Sequence, residues 1–132
     1  MNGVLVDTGP LYAAYDLSDR YHLQAQTEIQ AVNQQNLAVF LSYPVFLESH
    51  NLILKRLGIV AGLRFIQEMT EGTMLIQPIA EDYQAASQLL RQYPDQAITL
   101  CDATTAAISK RLSLPVWTYD FHFDVMGSQV WR

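Results

Sequence analysis

The chain has 132 residues, 50% hydrophobic and 16% charged, with a formal net charge of −5. That is long enough for one domain, spanning residues 1–132, with a core of its own, too apolar for disorder, and without the ~20-residue apolar stretch of a membrane span. The acidic balance argues against tight duplex binding by the bare protein, because proteins that live by phosphate contacts are usually basic.

Strand-like and helix-like segments alternate along the chain. Residues 3–6 read as a short strand, and Gly9-Pro10 turns the chain into a helix through residue 15. Residues 16–20 are polar loop. Residues 22–33 carry apolar positions at Leu23, Ala25, Ile29 and Val32 and predict an amphipathic helix. The wholly apolar run 37–41 suits a strand of a parallel sheet covered on both faces. Pro44 opens a helix that runs to Leu57 and stops at Gly58. A helix over 59–69, a strand over 73–77 and a helix over 81–92 follow. After the Pro94-Asp95 loop comes an alanine-rich helix over 100–112, then a strand over 115–118, a helical turn, and a last short strand over 129–131. This alternation predicts an α/β domain with a mostly parallel sheet and helices on both faces. Ligands of such sheets bind beyond the carboxyl ends of the strands.

Five acids fall at that edge: Asp7, Glu48, Asp102, Asp120 and Asp124. Each has a structural explanation to weigh. Thr99-x-x-Asp102 has the form of a capping box, Glu48 lies in the N-terminal half of its helix, and Asp120 and Asp124 suit an exposed helix start. Asp7 and Asp120 fit such explanations least. Each follows an apolar strand, and no lysine or arginine lies close to Asp7 in sequence. Unpaired buried carboxylates cost several kcal/mol, so converging acids imply a cation. Oxygen donors without a histidine or cysteine at zinc spacing select Mg²⁺ or Mn²⁺. Such an ion activates water and neutralises charge on phosphoryl oxygens, which points to phosphate chemistry. An acidic net charge is compatible with this, since the cation restores positive potential locally.

The same residues resemble those of the PIN-domain ribonucleases, and among them the VapC-type toxins. Val4-Leu5-Val6-Asp7-Thr8 looks like the family's opening motif. Pro44-Val-Phe-Leu-Glu48-Ser49 looks like its second, Thr99-Leu-Cys-Asp102-Ala103 its third and Thr118-Tyr-Asp120-Phe-His-Phe123 its fourth. The resemblance covers essentially the whole chain. It implies a three-layer α/β/α fold around a short parallel sheet, a Mg²⁺- or Mn²⁺-dependent endoribonuclease acting on RNA, and usually a homodimer. It implies that Asp7, Glu48, Asp102 and Asp120 form the catalytic, metal-binding site. Asp7 and Asp102 would be the main ligands, and either Glu48 or Asp120 would orient the attacking water. Thr8 and Thr118 would be supporting hydroxyls. Many relatives carry a further acid two positions after the fourth motif's aspartate. Here that residue is His122, and Asp124 is a replacement for the charge or a surface residue. The resemblance further implies a small antitoxin partner that wraps the toxin.

Other residues bear on function less directly. Tyr12, Tyr15, Arg20 and Tyr21 are candidates for contact with single-stranded RNA, or pack against the domain. His22 and His50 read as helix-face residues, and Cys101 as a small buried side chain. As the only cysteine, Cys101 excludes an internal disulfide and a cysteine-rich zinc site. Lys110 and Arg111 lie too far along their helix from Asp102 to reach a scissile phosphate. The N-terminus has no basic leader, and Asp7 breaks its apolar run, so a cytoplasmic setting is expected. Alternative functions are a PIN nuclease of RNA processing and a non-hydrolytic regulatory domain with an acidic pocket. A phosphoacceptor receiver would carry paired acids after its first strand and a lysine after its last, and neither is present. The Asp7-Thr8-Gly9 triplet of aspartic proteases belongs to an all-β fold, which the helical runs contradict.

Overall fold

A computed structural model describes residues 2–132. Four parallel strands form the sheet in the order β3-β2-β1-β4: β1 (Gly3–Val6), β2 (Ala38–Ser42), β3 (Met74–Ile76) and β4 (Val116–Trp117). The helices are α1 (Thr8–Tyr15), α2 (His22–Gln34), α3 (Tyr43–Leu57), α4 (Ile59–Gly72), α5 (Ala80–Gln92), α6 (Leu100–Leu112) and α7 (His122–Val125). β1 is central and buried along its length. Alternation along a strand sends its side chains to opposite faces. Val4 and Val6 accordingly pack with Leu11, Val32, Val45, Ile53 and Phe65, contributed by α1 to α4. Leu5, between them, packs with Phe40, Ile108 and Leu114 on the α6 side. Helices on both faces of a parallel sheet make three layers, as expected.

Local chemistry accounts for most boundaries. Ser42 accepts a hydrogen bond from the Val45 amide at 3.4 Å and Pro44 sits in the first turn of α3, so the helix begins where β2 ends. Gly58 ends α3 with φ +94°, a conformation that suits only glycine well. The Thr99 hydroxyl accepts the Asp102 amide and starts α6, and Ser113 ends it in the left-handed region. Gly3 is required for another reason: a Cβ there would lie 2.7 Å from the Phe40 ring and 2.9 Å from the Ala38 carbonyl of β2.

Several boundaries differ from the sequence reading, and α4 runs on to Gly72 beyond the expected 59–69. α1 begins at Thr8, because the chain turns directly at Asp7 without a Gly-Pro loop. The edge strands β3 and β4 are shorter than expected. Residues 129–131 make no strand; a single parallel bridge joins Val130 to Val116, with amide bonds of 2.8 Å on either side. No described helix is long and apolar enough to cross a membrane.

Candidate active site

Parallel strands bring their carboxyl ends to one edge of the sheet, and a cleft of about 350 Å³ opens there. Asp7, Glu48, Asp102 and Asp120 all line it, with Thr8, Thr99 and Asp19. Among the described residues lining the cleft there is no lysine or arginine.

Asp7 follows β1 and occupies the position before α1, yet its carboxylate caps nothing. It is 5% exposed. Oδ2 accepts the Thr118 hydroxyl at 2.8 Å, while Oδ1 is buried without a hydrogen-bond partner. Burial, followed by repulsion from Asp102, pushes its pKa up to about 7. Asp102 lies in the first turn of α6. Burial and then the Asp120 charge push it up to about 6. The capping box is half made: the Thr99 hydroxyl accepts from the Asp102 amide at 3.1 Å, but the Thr99 amide donates no hydrogen bond to the Asp102 carboxylate. That leaves the carboxylate facing the cleft.

Glu48 lies beyond the first turn of α3, so the dipole of that helix is a weak reason for its presence. Its Oε1 accepts the Thr8 hydroxyl at 2.6 Å. Asp120 stands in the loop after β4. Its amide donates to the Thr118 hydroxyl at 3.0 Å, and its Oδ1 accepts the His122 amide at 2.9 Å. Thr118 therefore ties Asp7 and Asp120 together, and Thr8 ties the start of α1 to α3.

The tightest donor group was not foreseen in full. One donor atom each from Asp102, Asp120 and His122 lies within 4.8 Å of the other two. His122 Nδ1 is 3.2 Å from Asp120 Oδ1. The sequence reading took the donors as all oxygen, and the structure adds a nitrogen. Asp124 is placed apart: it is exposed, pairs with Arg132 at 3.2 Å and does not line the cleft.

Tyr21 and Tyr119 flank the acids, stacked at 4.6 Å between ring centroids and 30° between planes. Arg20 lies over Tyr21 at 4.6 Å. Tyr119 donates to Glu28 at 2.5 Å, and Glu28 also accepts the Trp117 indole at 3.0 Å. Tyr12 reaches the cleft, but Tyr15 turns away to Glu68 and Phe65. Tyr119, Asp19, Gly9, Leu52 and Thr99 also line the cleft and were not among the site residues expected from sequence. Tyr119 sits beside an acid already singled out, but only the fold shows that it meets Tyr21.

The remaining candidates have structural roles. Arg111 forms a two-bond pair with buried Asp82, both at 2.8 Å, between α6 and α5. His22 Nδ1 contacts the Ala13 carbonyl at 2.7 Å. Cys101 packs on the core, and burial together with the nearby acids pushes its thiol well up, so it is no thiolate nucleophile.

A parallel sheet sandwiched between helices brings acids from four separate segments together beyond its strand ends, the edge at which such sheets bind ligands. The PIN domain family model matches residues 4–128, so the chain belongs to the PIN domain family. No curated relative matches the sequence. Among solved structures, it is similar to VapC20 of Mycobacterium tuberculosis, a sarcin–ricin loop cleaving toxin, with 19% identity, TM-score 0.82 and 96% of each chain covered. It is also similar to VapBC2 of Rickettsia felis bound to a promoter DNA fragment, at 12% identity and TM-score 0.75, over 96% of this chain and 95% of that one. FitAcB of Neisseria gonorrhoeae is similar at 16% identity and TM-score 0.70, over 98% and 96%. At these identities the likeness is one of fold.

Proposed function

We propose that this protein is a Mg²⁺- or Mn²⁺-dependent endoribonuclease and the toxin of a toxin–antitoxin pair. The observation that carries the reading is the buried, unpartnered Oδ1 of Asp7 in a cleft that it shares with Glu48, Asp102 and Asp120. Carboxyls raised to about 7 and about 6 by burial and mutual repulsion are a donor set short of a cation. Membership of the PIN family and the toxin named among similar folds support the choice of nuclease and toxin.

Asp7 and Asp102 would hold the cation, with Glu48 and Asp120 reaching it directly or through water. When bound, it lowers the pKa of a water and neutralises charge on the phosphoryl oxygens. The Thr118 hydroxyl fixes Asp7 by Oδ2, which leaves Oδ1 for ligation. Glu48, held at one oxygen by Thr8, would orient the attacking water and take its proton. The new phosphorus–oxygen bond forms from that water, and the bond to the leaving ribose oxygen breaks. Tyr21 and Tyr119 support single-stranded RNA as substrate, because unpaired bases stack on aromatic rings.

Partner binding has a plausible surface. Leu54, Ile59, Val60 and Leu63 of α3 and α4 are exposed, Val60 at 82%. Contiguous apolar side chains of this kind mark protein contacts, which suits a homodimer and an antitoxin. A cytoplasmic setting is part of the same proposal.

The test is cleavage of single-stranded RNA by purified protein with Mg²⁺ or Mn²⁺. Asp7→Asn abolishes it; full activity in EDTA would sink the reading. Growth arrest on expression, relieved by a small protein encoded beside it, separates a toxin from an RNA-processing nuclease.

A further inference from the structure

This inference rests on the proposal that the cleft binds a divalent cation, and concerns which cation and which ligands. The acids alone give an oxygen site, which Mg²⁺ fills well. Two observations go beyond that. A ring nitrogen of His122 and one oxygen each of Asp102 and Asp120, two acids that line the cleft, lie within 4.8 Å of one another. Asp7, 5% exposed, supplies a buried oxygen without a partner in the same cleft.

Donors on opposite sides of one small cation stand about 4.2 Å apart, twice a bond of about 2.1 Å. Donors at right angles stand about 3.0 Å apart, so one of the three pairs can span the ion and the others must close to that spacing as it binds. His122 Nδ1 lies 3.2 Å from Asp120 Oδ1, which also accepts the His122 amide at 2.9 Å. Ligation takes a neutral ring nitrogen, so any proton on it leaves as the cation enters. The imidazole is braced against Phe121 at 4.5 Å between ring centroids. It is 17% exposed, enough for water to satisfy its other nitrogen.

The geometry points to His122 as a nitrogen ligand of the cation held by Asp102 and Asp120, which turns this cleft away from Mg²⁺ and toward first-row transition ions, for which paramagnetic Mn²⁺ is the probe. Imidazole suits transition ions, whereas Mg²⁺ keeps to oxygen donors and water. His122 therefore sets metal choice through a donor that the acids cannot supply.

The experiment titrates Mn²⁺ into the full metal-stripped chain and follows loss of the free-ion electron paramagnetic resonance signal. Pulsed measurements on the bound ion then read coupling to ¹⁴N. The wild-type protein is expected to show imidazole ¹⁴N coupling. His122→Gln and His122→Ala, each checked for fold by circular dichroism, lose it, and their Mn²⁺ affinity falls by about tenfold or more. Mg²⁺ affinity, measured by displacement of Mn²⁺, falls less. Bound Mn²⁺ without ¹⁴N coupling in the wild type overturns this inference and leaves the cation proposal standing. Coupling that persists in both variants overturns it too, by assigning another nitrogen. No saturable Mn²⁺ binding removes the cation proposal and this inference with it.

Discussion

Asp7→Asn is expected to stabilise the metal-free protein at pH 8 while abolishing cleavage. The Asp7 carboxyl is raised from 3.8 to about 7, chiefly by burial. At 1.36 kcal/mol per tenfold, ionising it in the folded state costs about 4 kcal/mol above pH 7. Between pH 4 and 7 the folded state holds a proton that the unfolded state has lost. Wild-type stability therefore falls as pH rises through that window and levels off above it, the reverse of an acid held by a salt bridge. An asparagine removes the charge and can still accept the Thr118 hydroxyl. Its amide then meets the place where Oδ1 has no partner, at a cost of about 1–3 kcal/mol. The net gain is about 1–3 kcal/mol at pH 8, or roughly 3–12 °C in Tm for a domain of this size; it falls to zero between about pH 4.5 and 6, and below that the variant is the less stable. Thermal melts in EDTA across pH 4–8 check this. Adding Mn²⁺ at pH 8 restores the wild type by about 3 kcal/mol at a hundred times Kd and leaves the variant unmoved. A variant no more stable than wild type at pH 8, or a flat wild-type profile from pH 4 to 7, refutes the reasoning.

Glu48→Gln keeps the Thr8 contact but removes the base, so the cleavage rate falls by about 10²–10⁴ in single-turnover assays, with little change in melting temperature. Arg111→Met strands buried Asp82 without its partner and lowers unfolding free energy by about 2–4 kcal/mol in urea titrations. Cleavage per folded molecule stays the same, since Arg111 does not line the cleft. Tyr21→Ala removes one face of the aromatic pair and weakens binding of single-stranded RNA by about 1–3 kcal/mol, read from KM or a direct titration, with kcat much less affected. Val60→Glu places a charge on the exposed apolar face of α4 and reduces self-association in light scattering while the monomer keeps its melting temperature.

Much of the fold was legible because local signals and tertiary demands agreed. α6 runs over the expected residues since Thr99 caps its start and Ser113 leaves the helical region at its end. Where they disagreed, long-range bonding won. Gly9-Pro10 has the composition of a turn, yet it lies inside α1, because the Asp7 amide is already held by the Trp117 carbonyl at 2.9 Å and the chain turns there. Thr118 has the composition of a strand, but its hydroxyl serves Asp7 and Asp120, and β4 ends before it. The four acids were legible because strand ends of a parallel sheet converge. The Tyr21–Tyr119 pair was not, because no periodicity records which loop residues meet across a cleft, and His122 was marked only as the residue standing where relatives carry an acid.

The hydrogen bonds around the acids explain how so costly a cluster is held in readiness. Asp7 is bound by a threonine hydroxyl at Oδ2 and keeps Oδ1 free; Asp120 is bound by an amide at Oδ1, and no donor is bonded to Oδ2 among the described residues. Tying one oxygen fixes the direction of the carboxylate, and sparing the other keeps a ligand for a cation. Neutral hydroxyl and amide donors achieve this without a lysine or arginine in the cleft, either of which would lower the acids' pKa values and compete for their oxygens. The arrangement leaves the metal-free protein less stable above pH 7. The same unrelieved charge would give the proposed divalent cation its affinity, so the destabilisation and the proposed binding share one source. A variant that relieves one must weaken the other, which is why stability in EDTA and Mn²⁺ affinity should move in opposite directions across substitutions of Asp7, Asp102 and Asp120.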